Sequence, residues 1–212
     1  MDGTILLIFQ LCVLLFSVMI HEISHGAVAL RLGDQTAKLA GRLTLNPIKH
    51  LDFFGSFLLP VSLYFLSGGA IVLGWAKPVP YNPFNLKNPR LGAGLIGAAG
   101  PVSNLIIAVV FGVILRIIIP YVAVGSPILL LLNIIVFMNV LLAIFNLIPL
   151  PPLDGSNILF AFLPHEYRLL QQFLVRYGFF ILIFFIVFGF PFLTPLVSIV
   201  YHWIVGSAGI FK

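Results

Sequence analysis

The stretch His21-Glu22-Ile23-Ser24-His25 lies near the end of an apolar run, residues 5–32, that is long enough to span a bilayer. On a helix, positions i and i+4 share one face about one turn apart, so imidazoles at 21 and 25 can bind one metal ion. Ionisable side chains at membrane depth are energetically expensive, so three of them within five residues indicate a functional site. The same cost disfavours a chance match of the kind that is common in soluble helices.

The composition of the chain places it among integral membrane proteins. Of 212 residues, 61% are hydrophobic and 8% are charged, against about 25% charged in ordinary soluble domains. The apolar segments are 4–32, 53–73, 91–121, 127–148 and 177–205. Since about 20 residues span a bilayer, the sequence predicts one membrane-embedded domain, 1–212, of the all-α polytopic class with about four or five transmembrane helices.

The segment 53–73 differs from the other four because Pro60 interrupts it and Ser67-Gly68-Gly69 breaks it. The next residues, Ala70-Ile71-Val72-Leu73-Gly74-Trp75, combine β-formers with glycine and lead into a proline-rich stretch. We therefore predict a re-entrant hydrophobic hairpin with a short β segment. Such backbone is tolerated in a bilayer where protein or a water-filled cavity covers it.

A candidate third ligand follows a proline-rich break far downstream. Pro149, Pro151 and Pro152 end the preceding helix, because proline lacks an N–H and clashes with the turn before it. Catalytic zinc commonly takes three protein ligands and leaves a fourth position for water. His21, His25 and Asp154 would complete that set, with Glu22 taking a proton from a metal-bound water. Taken alone, Asp154-Gly155 would be interpreted as a turn at the membrane surface. Together with the intramembrane HExxH, the preferred interpretation is that Asp154 is a metal ligand.

With these residues in place, the chain resembles the site-2 protease family of intramembrane zinc metalloproteases, in its short form without a PDZ or CBS domain. The resemblance rests on HEISH at 21–25, WAKPVPYN at 75–82, AGPVSN at 99–104 and NLIPLPPLDG at 146–155. It implies one Zn²⁺ per chain bound by His21, His25 and Asp154, with Glu22 activating the water. It also implies that Asn146 contacts substrate or stabilises the oxyanion, and that the substrates are single-span membrane proteins.

Other residues near these motifs have two possible roles each. The segment 70–75 could pair with an unwinding substrate helix as an added strand, or it could be a structural hairpin that closes the cavity. Gly97 and Gly100 give a small-residue face for packing against the HExxH helix, and Asn104 is expected to hydrogen-bond across helices or to touch the site. His50 and Asp52 flank the hairpin and are expected to be solvated or to act as caps.

The basic residues indicate topology rather than a nucleic-acid partner. The net charge is +5, but the lysines and arginines are spread through the loops between apolar segments. His21 and Asp154 can share an ion only if the spans 5–32 and 127–148 run in the same direction. This requires the segment 53–73 to enter the membrane and return to the same side.

With that topology, most basic residues fall on one side, namely Arg31, Lys38, Arg42, Lys49, Lys77, Lys87, Arg90, Arg168 and Arg176. Arg116 and Lys212 fall on the other side. Because cytoplasmic loops carry an excess of Lys and Arg, the first side is predicted to be cytoplasmic. The expected location is the cell membrane, with the site toward the cytoplasm.

Two other functions use the same His/Asp site, a membrane metal-ion transporter and an inactive scaffold. Transporters usually distribute polar residues through several spans, whereas here the acidic residues at membrane depth reduce to Glu22 and Asp154. The presence of Glu22 argues against the scaffold. The physiological substrate and the oligomeric state are left open by the sequence.

Overall fold

The computed structural model describes residues 2–52, 77–123, 125–206 and 209–211, together with positions 55, 58, 62 and 65. The α-helices of the described part are α1 (Gly3–Arg31), α2 (Thr36–Leu39), α3 (Pro89–Ile118), α4 (Pro127–Asn146), α5 (Asp154–Phe162), α6 (Arg168–Phe184) and α7 (Phe190–Val205). Within those residues there is no β-strand. The predicted β segment 70–75 and most of the predicted hairpin 53–73 lie outside the described residues.

Among the residues that the structure describes, four helices are long and apolar enough to cross a membrane. They are Gly3–Arg31, Pro89–Tyr121, Pro127–Asn146 and His165–Gly189, and Pro191–Val205 is a shorter apolar helix. A helix satisfies its own backbone hydrogen bonds, which the lipid interior cannot do. Many large apolar side chains on α1, α3 and α6 are exposed, as suits surfaces that face lipid. The chain is a multi-pass membrane protein, which confirms the predicted all-α polytopic class.

Two boundaries differ from the sequence prediction. No helix was predicted between the apolar segments 127–148 and 177–205, but this region contains the nine-residue helix α5 and the start of α6. The last span was expected to begin at 177, whereas α6 begins at Arg168 and continues through a π-helical stretch, Phe185–Gly189, to α7. The first turns of α6 contain arginine and glutamine, which are good helix formers but lower the local hydropathy.

Contacts between polar side chains establish the directions of the central helices. Asn104 of α3 lies beside Ser17 of α1, while Ile96 lies beside His25, so α1 and α3 are antiparallel. Asn104 also bonds to Asn139 of α4, and the short connection from α3 makes that pair antiparallel too. Consequently α1 and α4 run in the same direction. We call the end where α1 and α4 finish and α3 begins the site end.

The main apolar core lies among α3, α4 and α7. Tyr201 of α7 is fully buried and donates a hydrogen bond to Asn133 of α4. Gly112 of α3 lies so close to Ile204 that a Cβ there would be 2.3 Å from the Ile204 Cγ2 atom. The buried members of this core are Ala108, Leu115, Leu129, Leu132, Val136, Val140, Ile144, Leu193, Val197, Tyr201, Ile204 and Val205.

The chain between α1 and α3 leaves the site end and returns to the same place. The Lys77 N–H donates to the His50 carbonyl oxygen at 2.9 Å. The Arg42 guanidinium, 7% exposed, donates to the carbonyl oxygens of Lys49, Lys77 and Pro78. His50 and Lys77 therefore lie side by side, as the predicted hairpin between them requires.

The two residues that flank this hairpin have different environments. His50 is 1% exposed, and its Nε2 atom lies 2.9 Å from the Thr44 carbonyl oxygen. Of the two roles expected for His50, solvation is therefore wrong, because its ring lies against the Thr44 carbonyl oxygen and its own carbonyl oxygen accepts from the Lys77 N–H. Asp52 accepts a hydrogen bond from the Gly55 N–H at 2.7 Å, which is a capping contact.

Candidate metal centre

Three ligand-bearing side chains meet at the site end. The His21 Nε2 atom lies 2.9 Å from Asp154 Oδ2, and the His25 Nε2 atom lies 3.3 Å from the same oxygen. The two imidazole rings are 4.7 Å apart and nearly perpendicular. Helix α1 places both rings on one face because they are separated by four residues. Helix α5 begins at Asp154, directly after the proline-rich turn.

The other nitrogen of each imidazole determines its tautomer. His21 Nδ1 lies 2.6 Å from the Asn104 Oδ1 atom, and His25 Nδ1 lies 2.6 Å from the Ile96 carbonyl oxygen. Both partners can only accept hydrogen bonds, so both Nδ1 atoms carry the proton. The lone pairs of both Nε2 atoms then point toward Asp154. This is the arrangement by which protein acceptors orient metal-binding histidines.

This donor set fits a zinc ion. Zn–N and Zn–O bonds of about 2.0–2.2 Å at tetrahedral angles separate two ligand atoms by roughly 3.4 Å, near the observed 2.9 and 3.3 Å. Within the described residues, the buried Asp154 Oδ2 atom has no hydrogen-bond partner. Two imidazole lone pairs and a carboxylate oxygen repel one another unless a cation lies between them.

A series of hydrogen bonds among buried polar groups supports the Nδ1 side of the His21 ring. The Asn104 amide donates to Asn139 Oδ1 at 2.9 Å, and Asn139 in turn donates to the Ser17 hydroxyl at 2.9 Å. Asn104 and Asn139 are fully buried, and Ser17 is 4% exposed. Because the Asn104 amide donates away from the site, its oxygen faces His21. Asn104 thus both bonds across helices and touches the site.

Glycines allow the backbone of α3 to approach the site. A Cβ at Gly100 would lie 2.4 Å from the His21 Nε2 atom and 2.6 Å from the His25 Nε2 atom. A Cβ at Gly97 would instead lie 3.0 Å from the Asp154 carbonyl oxygen. Gly100 therefore faces the HExxH helix, whereas Gly97 faces the start of α5.

Glu22 lies beside the three ligands and is held by the segment that follows the hairpin. Its Oε2 atom accepts a hydrogen bond from the Val79 N–H at 2.9 Å. Glu22 is partly buried, and Val79 is 7% exposed. Tyr81 follows two residues later, and burial together with the charge of Asp154 raises the pKa of its phenol.

Asp34 fixes the far end of the same segment. This carboxylate is fully buried and accepts hydrogen bonds from the Asn82 N–H and the Asn85 amide, both at 2.7 Å. It also accepts from the Thr36 hydroxyl at 2.6 Å. Burial alone would raise the pKa of Asp34, but these hydrogen bonds to the charged form outweigh burial and lower it.

Asn146 is the last residue of α4, and its amide donates to the Leu142 carbonyl oxygen at 3.0 Å. This local bond uses one of its donors, so the expected contact with substrate stays a prediction. The other predicted substrate contact, residues 70–75, lies outside the described residues.

Four groups that support the site were not predicted from the sequence: Ser17, Asn139, Asp34 and the Val79 N–H. A signal existed for the first two, since Ser17 precedes His21 by one helical turn and Asn139 is an amide within an apolar span. Asp34 and Val79 had no such signal, because their partners lie far away in sequence.

Known proteins give an independent comparison. The model of peptidase family M50 matches residues 9–126 and 117–189. The protein named "Putative zinc metalloprotease YwhC" from Bacillus subtilis (strain 168) is 41% identical over 92% of this chain and 84% of its own length. No solved structure matches the chain significantly.

More distant relatives are longer proteins. The protein named "Putative zinc metalloprotease Rip2" from Mycolicibacterium smegmatis is 32% identical over 68% of this chain and 53% of its own length. Zinc metalloprotease MJ0392 of Methanocaldococcus jannaschii is 31% identical over 76% of this chain and 37% of its own length. The chain therefore spans less than two thirds of these two proteins. The family match covers most of the chain, including all three convergent side chains, and the chain belongs to peptidase family M50, the site-2 protease family.

Proposed function

We propose that this protein is an intramembrane zinc metalloprotease that hydrolyses peptide bonds of single-span membrane proteins within the bilayer. One observation carries the proposal: His21, His25 and Asp154 converge with both imidazole lone pairs facing one carboxylate oxygen, and Glu22 lies beside them. Such a set has three protein ligands and a neighbouring base, which is what zinc-assisted hydrolysis needs.

The residues divide the chemistry between them. His21, His25 and Asp154 would hold one zinc ion, which when bound polarises the scissile carbonyl and lowers the pKa of water. Glu22 accepts the proton of the attacking water and delivers it to the leaving amine. Because the nitrogen is protonated as the peptide bond breaks, it leaves as a neutral amine and not as an amide anion.

Substrate recognition rests on two groups whose roles are also proposed. The Asn146 side chain would donate a hydrogen bond to a substrate carbonyl or to the developing oxyanion. Residues 70–75 would pair with the substrate as an added strand, since a helix must unwind before its carbonyls are accessible. Membership of the M50 family and the site's position on apolar helices support a substrate that lies in the membrane.

A transporter would need a path of polar groups through the bundle. Helix α4 packs against α1, α3 and α7, and it contains asparagines but no ionisable side chain. The buried amides of α4 are bonded to Ser17, Asn104 and Tyr201 rather than arranged as a relay. The described spans therefore favour one closed site over a pathway.

The proposed orientation places the site end toward the cytoplasm, in the cell membrane. Lys38, Lys87 and Arg90 lie next to the ends of α1 and α3 that meet there, and the positive-inside rule favours that side. Arg42 is not counted among these basic residues, because its guanidinium is buried and bonded to the Lys77 carbonyl oxygen.

Co-expression with a panel of single-span membrane proteins tests the proposal. Wild-type protein should release a fragment from at least one of them, and Glu22→Gln should release none while it keeps about one zinc ion per chain. His21→Ala, His25→Ala and Asp154→Ala should each lower the zinc content. A transporter would show no cleavage for Glu22→Gln to remove, and full zinc retention in Asp154→Ala would mean that another residue supplies the third ligand.

A further inference from the structure

We propose that the Val79 backbone N–H is a positioning group for proton transfer, which holds the Glu22 carboxylate in place during hydrolysis. Residues 77–82, here called the strap, would then belong to the catalytic machinery rather than being a connector between the hairpin and α3. The inference rests on the proposed protease function and assigns a role within it to a backbone amide.

The strap donates one backbone hydrogen bond to Glu22, from the Val79 N–H. Pro78 and Pro80 have no N–H, and the Lys77 N–H is already bonded to the His50 carbonyl oxygen. Val79 therefore carries the one backbone N–H between Lys77 and Tyr81, and this N–H lies 2.9 Å from Glu22 Oε2. Two flanking prolines also restrict the backbone around Val79 to extended conformations. The direction of the donor is thus limited before any tertiary contact forms.

Buried charges anchor both ends of the strap. At the first end, the Arg42 guanidinium donates to the carbonyl oxygens of Lys77 and Pro78 at 2.6 and 3.1 Å. At the second end, the Asp34 carboxylate accepts from the Asn82 N–H at 2.7 Å. Charge-assisted hydrogen bonds are short and strongly oriented. The position of the Val79 N–H is consequently set by contacts that do not involve Glu22.

The strap also packs directly on α1 one turn beyond Glu22. A Cβ at Gly26 would lie 2.9 Å from the Val79 Cγ1 atom and 2.7 Å from the Leu43 Cδ2 atom. Gly26 and Glu22 are four residues apart and share one face of the helix. The absence of a side chain at Gly26 lets the strap approach closely enough for its N–H to reach the carboxylate.

This contact has a chemical consequence for Glu22. A glutamate carboxylate can rotate about three side-chain bonds, and a base that is free to rotate spends little time aligned with the attacking water. With Oε2 bonded to Val79, the second oxygen, Oε1, can face the water and accept its proton. A hydrogen bond to a charged group is worth about 10- to 100-fold in an equilibrium, within the 10²- to 10⁴-fold that a general base typically contributes.

Replacing the amide of residue 79 by an ester removes the N–H and keeps the valine side chain. The ester is introduced by incorporating the α-hydroxy acid analogue of valine at codon 79, and valine incorporated by the same route gives the reference protein. We expect kcat to fall about 10- to 100-fold, with KM and zinc content unchanged. An ester at Phe84, whose N–H bonds to the Asn82 side chain, is the matched control and should keep the reference kcat.

A measurement independent of cleavage detects the bond itself. In ¹⁵N-valine-labelled protein, the Val79 amide signal is the one that the ester variant lacks. Glu22→Ala should move this signal upfield, because a proton bonded to a carboxylate resonates downfield. A Val79 signal that does not respond to Glu22→Ala, or an ester variant with the reference kcat, overturns the inference. If the reference protein cuts no substrate, the proposed function fails separately, and the signal still decides whether the strap holds Glu22.

Discussion

At the scale of single residues, the tautomer of His21 depends on the side-chain amide of Asn104 on the neighbouring helix α3. Asn104 accepts from His21 because its own N–H groups are used by Asn139 and by the Ser17 carbonyl oxygen. Removing Asn104 leaves the His21 Nδ1 proton without its acceptor, and the ring can then rotate or change tautomer. Such supporting partners typically contribute about 10- to 100-fold to metal affinity.

We therefore expect Asn104→Ala to lower zinc affinity about 10- to 100-fold, measured by competition with a chelator of known affinity. Asn133→Ala is the matched control, because Asn133 is also a fully buried amide but bonds to Tyr201 instead. It should lower stability by about 1–3 kcal/mol by leaving the buried Tyr201 O–H donor without its acceptor, with zinc affinity unchanged. Equal zinc loss in both variants would contradict the role of Asn104.

Asp34 should make stability depend on pH. Its pKa in the folded protein lies below the ordinary value of 3.8, so the folded state prefers the charged form. The resulting stabilisation is present in full above the ordinary pKa and is lost as the pH falls through the folded pKa. Thermal unfolding in mild detergent between pH 2.5 and 7 should show this acid-side decline in wild type and a weaker one in Asp34→Asn. Parallel curves would show that Asp34 does not titrate on unfolding.

Asn146→Ala separates a functional role from a structural one. If Asn146 donates to substrate, the variant keeps its fold and its zinc and loses about 10²- to 10³-fold in cleavage rate. If the bond to the Leu142 carbonyl oxygen is its main role, the variant accumulates poorly or loses zinc. Membrane accumulation, zinc content and cleavage rate, measured on one preparation, decide between the two roles.

The sequence predicted that His21, His25 and Asp154 converge and that Asn104 bonds across helices or touches the site, but it did not predict Ser17, Asn139 or the Val79 N–H. His21, Glu22 and His25 are fixed relative to one another by helical spacing, and Asp154 stands out as an acid after a proline-rich break. Ser17, Asn139 and the Val79 N–H depend on which residues face each other across helices. Which residues face each other is determined by how the helices pack, and it cannot be deduced from a single sequence.

At the scale of elements, the close approach of α3 to α1 is what brings the two imidazoles to Asp154. Gly100→Ala tests it, since the added methyl would lie 2.4 Å from one histidine nitrogen and 2.6 Å from the other. Alanine favours a helix over glycine by about 1 kcal/mol, so any loss must come from the clash. We expect zinc content to fall strongly. Gly3→Ala, where nothing lies within 4 Å, should leave zinc content unchanged.

Element boundaries were predicted less well than element existence. Hydropathy marks the apolar length of a span, so it located α1, α3 and α4 but placed the start of the last span at 177 rather than at Arg168. The polar first turns of α6 are helical without being apolar. Helix α5 was overlooked because nine residues between a proline-rich turn and Pro164 carry too little periodicity to be distinguished from a loop.

At the scale of the whole molecule, the direction of each helix decides whether the site can form. Helices α1 and α4 run in the same direction, and both end at the site. The predicted parity needed the intervening chain to return to the side it left, and the bond between Lys77 and His50 brings its two ends together. The shared direction of α1 and α4 agrees with the predicted parity, and the return of the intervening chain to the same side of the membrane stays a prediction.

Cysteine labelling tests the resulting topology. In a Cys12→Ala background, which removes the chain's single cysteine, new cysteines replace Leu45, Phe84 and Tyr121, whose side chains are 70%, 92% and 85% exposed. Positions 45 and 84 lie on either side of the hairpin, and 121 lies in the turn at the opposite end of the bundle. A membrane-impermeant maleimide should label position 121 in intact cells and positions 45 and 84 only after permeabilisation. Labelling of 45 and 84 from opposite sides would mean that the chain between them crosses the bilayer. The helix directions that bring His21 and Asp154 together would then be incompatible with the membrane.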